Sequence, residues 1–399
     1  MVAAGKAASA MARAAEDVLG DALAESLAVD SSDRVPLSRT RRILAGHPVP
    51  DEAGRRAADE VEGLARGLGP DDFLLLLLSG GASALLPAPV EGITLAEKAR
   101  TASLLMRAGA SIHDLNTVRK HLSRLKGGGL ARAAAPARVA CLALSDVVGD
   151  DPSTIASGPV SPDPTTYAMA VEVLERRGVA DAVPDAVRRH LDAGARGERS
   201  ETPKPGDRLF QRVSYTVVGS NRLSLAAAAA EARRQGLRPL ILTSRLEGEA
   251  REAARVLVAV LRACVEDGRP LPPPACLLAG GETTVTVRGA GRGGRNQELV
   301  LAAVEGLAAF PAPAVVASLA TDGIDGNSDA AGGVADGRSL ARAAALGLAA
   351  PAAFLAENDS RSFLGPLGDL IVTGPTGTNV MDLTALLAYP RARAPRDRI

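Results

Sequence analysis

The chain has 399 residues, 46% of them apolar and 23% charged, which suits a folded protein with two or three cores. Forty-six basic residues balance forty-six acidic ones, so no global field invites nucleic acid or an anionic membrane surface. Aromatic residues make up 2% with no Trp, so stacking platforms for bases or sugars are scarce, and small side chains and glycine loops must shape any ligand site.

Cys141, Cys264 and Cys276 are widely separated and odd in number, which speaks against a disulfide framework and a paired zinc site and fits a reducing cytoplasm. His47, His113, His121 and His190 show no metal-binding spacing. No apolar run approaches the length of a membrane span, and the first residues lack a signal-peptide pattern.

In chain order, Val2 to Ala4 leads into Gly5-Lys6 and an Ala-rich amphipathic helix. This reads as a strand end, a tight turn and a helix start, where phosphates bind readily, although three residues look too few for a strand and Lys6 also fits a solvated surface position. The spacing predicts a helix over 51–68, then a strand buried on both faces at Phe73 to Leu78. That strand stops at Ser79-Gly80-Gly81-Ala82-Ser83, a place where α/β folds bind ligands, although it lacks the GK[ST] of the Walker loop. Thr94 and Glu97 form a capping box for a helix to about Ala108.

Asn116 is expected to cap a helix carrying Arg119, Lys120, Arg124 and Lys126 and closing at Gly127-Gly128-Gly129. Three glycines exceed what a helix end requires, so either a ligand-facing loop or a flexible junction is expected there. A strand at 139–144 delivers Ser145-Asp146 to its carboxyl end, where an acid serves as general base, metal-binding group or simple turn cap. After a helix at 165–177, the Pro- and charge-rich stretch 194–207 is the best linker candidate. It divides an expected N-terminal domain, 1–200, from a second domain, 206–389.

In the second half, strands are expected at 213–218, 239–243, 275–279 and 284–287, with helices at 222–235 and 249–266. The second half centres on Cys276 to Glu298. Gly289, Gly291, Gly293 and Gly294 precede a helix at 296–307 with Arg295 at its start, which reads as an anion site or as a glycine-rich turn. A further strand, 314–320, ends in Thr321-Asp322-Gly323 and an acid-glycine run suited to magnesium, although not spaced as a calcium loop. The last ordered elements include Leu370 to Thr373, and the tail 390–399 is expected to be disordered.

Together these motifs resemble the class II glycerate kinases, the glycerate 2-kinase family that carries the MOFRL module. The matching stretches are GKAASAMA at 5–12, SGGASALL at 79–86, LNTVRKHLSRLKGGGLA at 115–131 and LSDVVGDDPSTIASGP at 144–159. They continue with GGETTVTV at 280–287, GRGGRNQEL at 291–299, TDGIDGNSDAAGG at 321–333, NDS at 358–360 and TGPTGTNVMDL at 373–383. The likeness spans essentially the whole chain. It implies an α/β protein with an N-terminal Rossmann-like doubly wound sheet, a smaller C-terminal α/β domain with a mixed sheet, and an active site in the cleft joining them. Family members usually carry a helical segment and a complete first strand before the GKA motif, so a truncated or late start is expected here.

The resemblance further implies transfer of the ATP γ-phosphoryl group to D-glycerate, giving 2-phosphoglycerate, with Mg²⁺ and no nucleic-acid or membrane partner, as a monomer or homodimer. Lys6 and Arg295 are then the cations, and Asp146 is the base or the metal-orienting carboxylate. Ser79, Gly80, Gly81, Ser83, Lys126, Gly127, Gly128, Gly129, Gly294 and Asn296 bind substrate or nucleotide. Glu282 and Asp322 face them, with Asp146 and Asp322 as candidate magnesium ligands. Two other classes stay open. Residues 289–294 match GxGxxG, the pattern of an NAD(P)H-dependent hydroxypyruvate reductase, but no acid closes a strand about 20 residues on. A non-catalytic small-molecule binder would follow if the short first strand left Lys6 unplaced.

Overall fold

A computed structural model describes residues 1–310 and 312–390. The expectation for the tail therefore falls, from residue 391 onward, outside the described residues. Contacts divide the chain into two compact units, Met1–Val218 and Gly219–Ile399.

The first sheet contains β1 (Val2–Ala4), β2 (Leu27–Asp30), β3 (Arg41–Leu44), β4 (Phe73–Leu78), β5 (Arg138–Leu144) and β6 (Val213–Gly219), in the order β3-β2-β1-β4-β5-β6. The pairs from β3 through β5 are parallel. This is the doubly wound order, and the direction of winding reverses where β1 meets β4. Val2–Ala4 is thus the centre of the sheet despite its three residues. It pairs β2 on one side and β4 on the other, and all three residues are fully buried. Two neighbouring ladders supply the hydrogen bonds that its length could not.

The helix Glu52–Arg66 begins where Asp51 accepts from Gly54 N–H, and Thr94 with Glu97 forms the expected capping box for Leu95–Arg107. One expected cap is corrected. Ser111, not Asn116, caps the helix Ile112–His121, which ends before Arg124 and Lys126. Asn116 lies inside it and is buried. The stretch 194–207 folds as a strap on the first unit: Asp163 N–H donates to Pro203 O at 2.8 Å, and Tyr167 N–H donates to the Glu201 carboxylate at 2.9 Å.

The second sheet contains β7 (Arg238–Leu246), β8 (Ala275–Gly281), β9 (Ala314–Ala320), β10 (Gly332–Asp336), β11 (Leu370–Ile371) and β12 (Asp382–Ala388), in the order β11-β10-β9-β12-β8-β7. It is mixed: β12 is antiparallel to β8 and β9, while β7 runs parallel to β8. The buried helix Arg295–Ala308 packs into the core of this unit beside Ala250–Asp267. Residues 284–287 do not form the expected strand. Thr284 makes one isolated bridge to Glu249, and the alternation there is satisfied by Glu249 accepting from Thr286.

Candidate active site

In the first unit, the switch point gathers the residues that follow β1 and β4. Lys6 N–H donates to Gly80 O at 2.8 Å, Ser79 N–H donates to Ala4 O at 3.0 Å, and Ala7 N–H donates to Ser79 Oγ at 3.0 Å. Gly5, with φ 125°, lies so close to Ser79 that a Cβ there would stand 2.2 Å from Ser79 Oγ. Ser79 is therefore the buried clamp that fixes the Gly5-Lys6 turn.

Gly80 and Gly81 leave room for functional groups. A Cβ on Gly80 would stand 2.1 Å from Asp146 Oδ2, and one on Gly81 would stand 2.9 Å from the His47 ring and 3.4 Å from Lys6 Cγ. The structure thus brings Lys6, Gly80, Gly81 and Asp146 together, and adds His47, a lone histidine that no motif singled out. Among the described residues the N–H groups of Gly80 and Gly81 have no protein acceptor. Gly81 is left-handed at φ 88°, which glycine adopts without strain. Burial pushes the Asp146 carboxyl up, and the Lys6 charge pulls it partly back. Burial and then the Lys6 charge lower the His47 pKa, so that ring is neutral near pH 7.

Other expected ligand residues serve the fold. Gly127 N–H donates to Ser157 O at 3.0 Å and Gly128 N–H to Gly158 O at 2.7 Å, and a Cβ on Gly129 would stand 2.1 Å from Arg124 O. The triple glycine is a close-packing element, not an open loop. Lys126 is buried, with Nζ donating to Ser83 O at 3.0 Å and Leu86 O at 3.2 Å. Its task is to tie two backbone segments. Ser83 remains half-buried beside the site, where Arg119 donates to its Oγ.

In the second unit, the Arg295 guanidinium donates from Nε to Asp382 Oδ2 at 2.5 Å and from an Nη to Asp382 Oδ1 at 3.0 Å. Its other Nη lies 2.9 Å from Glu282 Oε1. Burial alone would lower the Arg295 pKa, but Asp382, Glu282 and Asp325 outweigh it and hold the cation more firmly. Three of the five guanidinium N–H groups face these carboxylates, so Arg295 is a fixed, half-exposed cation. Asp382 was missed by sequence reasoning, although it lies in the TGPTGTNVMDL motif.

The glycine-rich stretch corrects the sequence expectation most fully. Gly291 N–H donates to Glu357 O at 3.0 Å, Arg292 N–H to Asp359 Oδ1 at 3.0 Å and Gly293 N–H to Asn327 Oδ1 at 2.8 Å. At the start of the helix, Asn296 and Gln297 N–H groups donate to the two oxygens of Asp325 at 3.1 and 2.9 Å. The anion at this helix N-terminus is the chain's own carboxylate. A Cβ on Gly294 would stand 2.4 Å from Asp325 Cγ, so Gly294 admits that carboxylate, and Asn296 is a core residue that also accepts from Ser318. The same closure removes the donors a dinucleotide would need.

Asp322 follows β9 and accepts from Ile324 N–H at 3.1 Å. No group of three or more His, Cys, Asp or Glu among the described residues is placed to hold a metal ion by itself. Single carboxylates such as Asp146 and Asp322 nevertheless fit magnesium, which is commonly bound by one or two carboxylates with substrate phosphates and water. Among the described residues no helix is long and apolar enough to cross a membrane.

A doubly wound sheet with a lysine and a half-buried aspartate at its switch point defines a small-molecule α/β enzyme class. Family models place the chain more narrowly: residues 1–192 match a domain of unknown function (DUF4147), and residues 275–382 match the MOFRL family. A glycerate 2-kinase of Pyrococcus horikoshii is 41% identical over 98% of this chain and 88% of its own length. The crystal structure of a Thermotoga maritima glycerate kinase superposes with a TM-score of 0.89 at 41% identity, covering 97% of this chain and 90% of that one. An Agrobacterium vitis protein bearing the name of a candidate hydroxypyruvate reductase is 43% identical over 97% of this chain and 86% of its own length. The chain belongs to the glycerate 2-kinase family that carries the MOFRL module.

Proposed function

We propose that the protein transfers the γ-phosphoryl group of ATP to the 2-hydroxyl of D-glycerate, with Lys6 and Asp146 in the first unit and Arg295 in the second as the acting side chains. The observation that carries this reading is Asp146 packed against Gly80 beside Lys6 at the switch point. Phosphoryl transfer needs positioning, cations near the phosphates and an acceptor for the hydroxyl proton. Asp146 accepts that proton as the 2-oxygen bonds to the γ-phosphorus, and the bridging oxygen leaves with ADP. Its raised pKa makes it a stronger base than an ordinary carboxylate. Lys6 and the Gly80 and Gly81 N–H groups meet the phosphoryl oxygens. Arg295, held by Asp382 and Glu282, is the fixed cation that the second unit offers, with donors left for phosphate charge. Bound with ATP, magnesium would neutralise phosphate charge, with Asp146 or Asp322 as its protein ligand.

Both the glycerate kinase and hydroxypyruvate reductase names occur among relatives of similar identity. The closed glycine-rich stretch favours the kinase, because the N–H groups a pyrophosphate would use are already bonded. Lys6→Ala and Arg295→Ala, checked for folding by circular dichroism, are expected to abolish glycerate-dependent ADP release. Near-normal turnover in both would remove the site assignment, and NAD(P)H consumption with hydroxypyruvate, without ATP, would reinstate the reductase.

A further inference from the structure

A second polar group in the first unit stands beside the switch point and has no task in the account above. Arg119, on the helix Ile112–His121, donates to Ser83 Oγ. Ser83 Oγ shares a 2.8 Å hydrogen bond with Ser157 Oγ, and Ser157 donates to Asn116 Oδ1 at 2.9 Å. Asn116 and Arg119 are three residues apart on one helix and so share a face.

Three features set this group apart. First, burial lowers the Arg119 pKa to about 10, yet among the described residues it makes no ion pair. Buried guanidinium groups ordinarily carry a carboxylate, as nearby Arg124 does with Asp59 and Glu62. Nearby Lys98 and Lys126 supply no counter-charge: their Nζ atoms rest on backbone carbonyls, and burial and then the neighbouring cations lower both pKa values. Second, Asn116 Nδ2 is a buried donor with no acceptor among the described residues, in a residue only 4% exposed. Such a donor is costly unless a ligand meets it. Third, Ala156 and Ser157 hold left-handed backbone at φ 52° and 61°, a strain that non-glycine residues carry chiefly at functional sites.

A positive, donor-rich group without a counter-charge calls for an anion. Ser83 lies two residues beyond Gly81, whose α-carbon faces Lys6 and His47, so the anion would lie next to the phosphoryl-transfer residues. We infer that Arg119, with Ser83, Ser157 and Asn116, is the receptor for the carboxylate of the hydroxy-acid substrate. A planar guanidinium matches the two oxygens of a carboxylate, and the unengaged Asn116 Nδ2 adds a neutral hydrogen bond, while Ser83 and Ser157, whose hydroxyl protons are already given to Ser157 and Asn116, hold Arg119 and Asn116 in place. The assignment rests on the kinase reading and explains why an acid, not a neutral polyol, would be taken.

The test compares Arg119→Gln and Arg119→Lys with the unmodified protein in steady-state kinetics with D-glycerate, with its neutral amide, and with ATP. Losing a charge-assisted pair is expected to raise the KM for D-glycerate about 10- to 100-fold in Arg119→Gln. The KM for ATP should change less than about threefold, and the preference for the acid over the amide should fall by the same factor as the glycerate effect. Arg119→Lys should recover part of it. Should Arg119→Gln fail to fold by thermal melting, Asn116→Asp keeps the acceptor for Ser157 while placing a negative charge in the receptor, and the same rise in glycerate KM is expected. An unchanged glycerate KM in a folded variant, or a rise confined to the ATP KM, would overturn the inference. If the unmodified protein released no ADP with glycerate, the kinase reading would fail by itself. Calorimetry would then still decide the receptor, since equal D-glycerate affinity in the unmodified protein and Arg119→Gln would overturn it.

Discussion

Replacing Gly80 with alanine perturbs the proposed site by a single methyl group. The added Cβ would stand 2.1 Å from Asp146 Oδ2 and 2.8 Å from its Cγ, where ordinary contacts are about 3.5 Å or more, so the carboxylate must move by about 1 Å. Gly80 is not in left-handed conformation, so alanine meets no backbone strain there. The stability cost is that of crowding a side chain able to swing aside, about 1 kcal/mol. The catalytic cost is larger, because a misplacement of about 1 Å in a reacting group lowers turnover by about 100-fold. Glycerate-dependent ADP release and a thermal melt measure the two effects. Gly63→Ala is the control: Gly63 lies in the helix Glu52–Arg66, its Cβ would meet nothing within 4 Å, and both activity and folding should be retained. A folded Gly80→Ala protein with kcat within about threefold of normal would refute the placement of Asp146 as a reacting group.

The remaining predictions concern charge. Because Asp146 titrates above its ordinary value, kcat/KM should fall on the acid side at a pH higher than an ordinary aspartate would give, and Asp146→Asn should lower kcat by about 100- to 10,000-fold and remove that limb. The same raised pKa makes its contribution to stability full below the ordinary aspartate pKa and lost as pH rises through the raised value. Asp382→Ala leaves Arg295 without its bidentate partner, and urea unfolding should show a loss of about 3 kcal/mol together with lost activity, whereas unchanged stability would contradict the pairing. Burial would raise the Glu16 carboxyl, but donors from Ser38, Arg39 and Thr40 outweigh it and bring it down to about 2. That carboxylate therefore stabilises the fold above its ordinary pKa, and the contribution is lost as pH falls toward about 2. Glu16→Gln should flatten the acid side of the stability profile, and an unchanged profile would contradict the account.

The alternating elements, their glycine ends and the two-sheet architecture were legible because hydrophobic runs such as Phe73–Leu78 and caps such as Thr94 with Glu97 act locally. Val2–Ala4 looked too short because the partners of Val2 in β2 and β4 lie 25 and 74 residues away in register, at Leu27 and Leu76, and it is those ladders that make it a strand. Similarly, Lys6 and Asp146 could be named from motifs, but His47 could not, since only the fold brings it to Gly81. The glycine-rich stretch misled for a physical reason. Glycines that admit a ligand and glycines that admit the chain's own Glu357, Asp359 and Asp325 look the same in sequence. The same limit applies to Gly127-Gly128-Gly129, which packs against Ser157 and Gly158 backbone.

The most direct test of the central claim is ADP release from ATP and Mg²⁺ with and without D-glycerate, with the product read by phosphorus NMR. The account predicts glycerate-dependent ADP and a phosphate on the secondary carbon. No glycerate-dependent release, or a phosphate on the primary carbon, would contradict it.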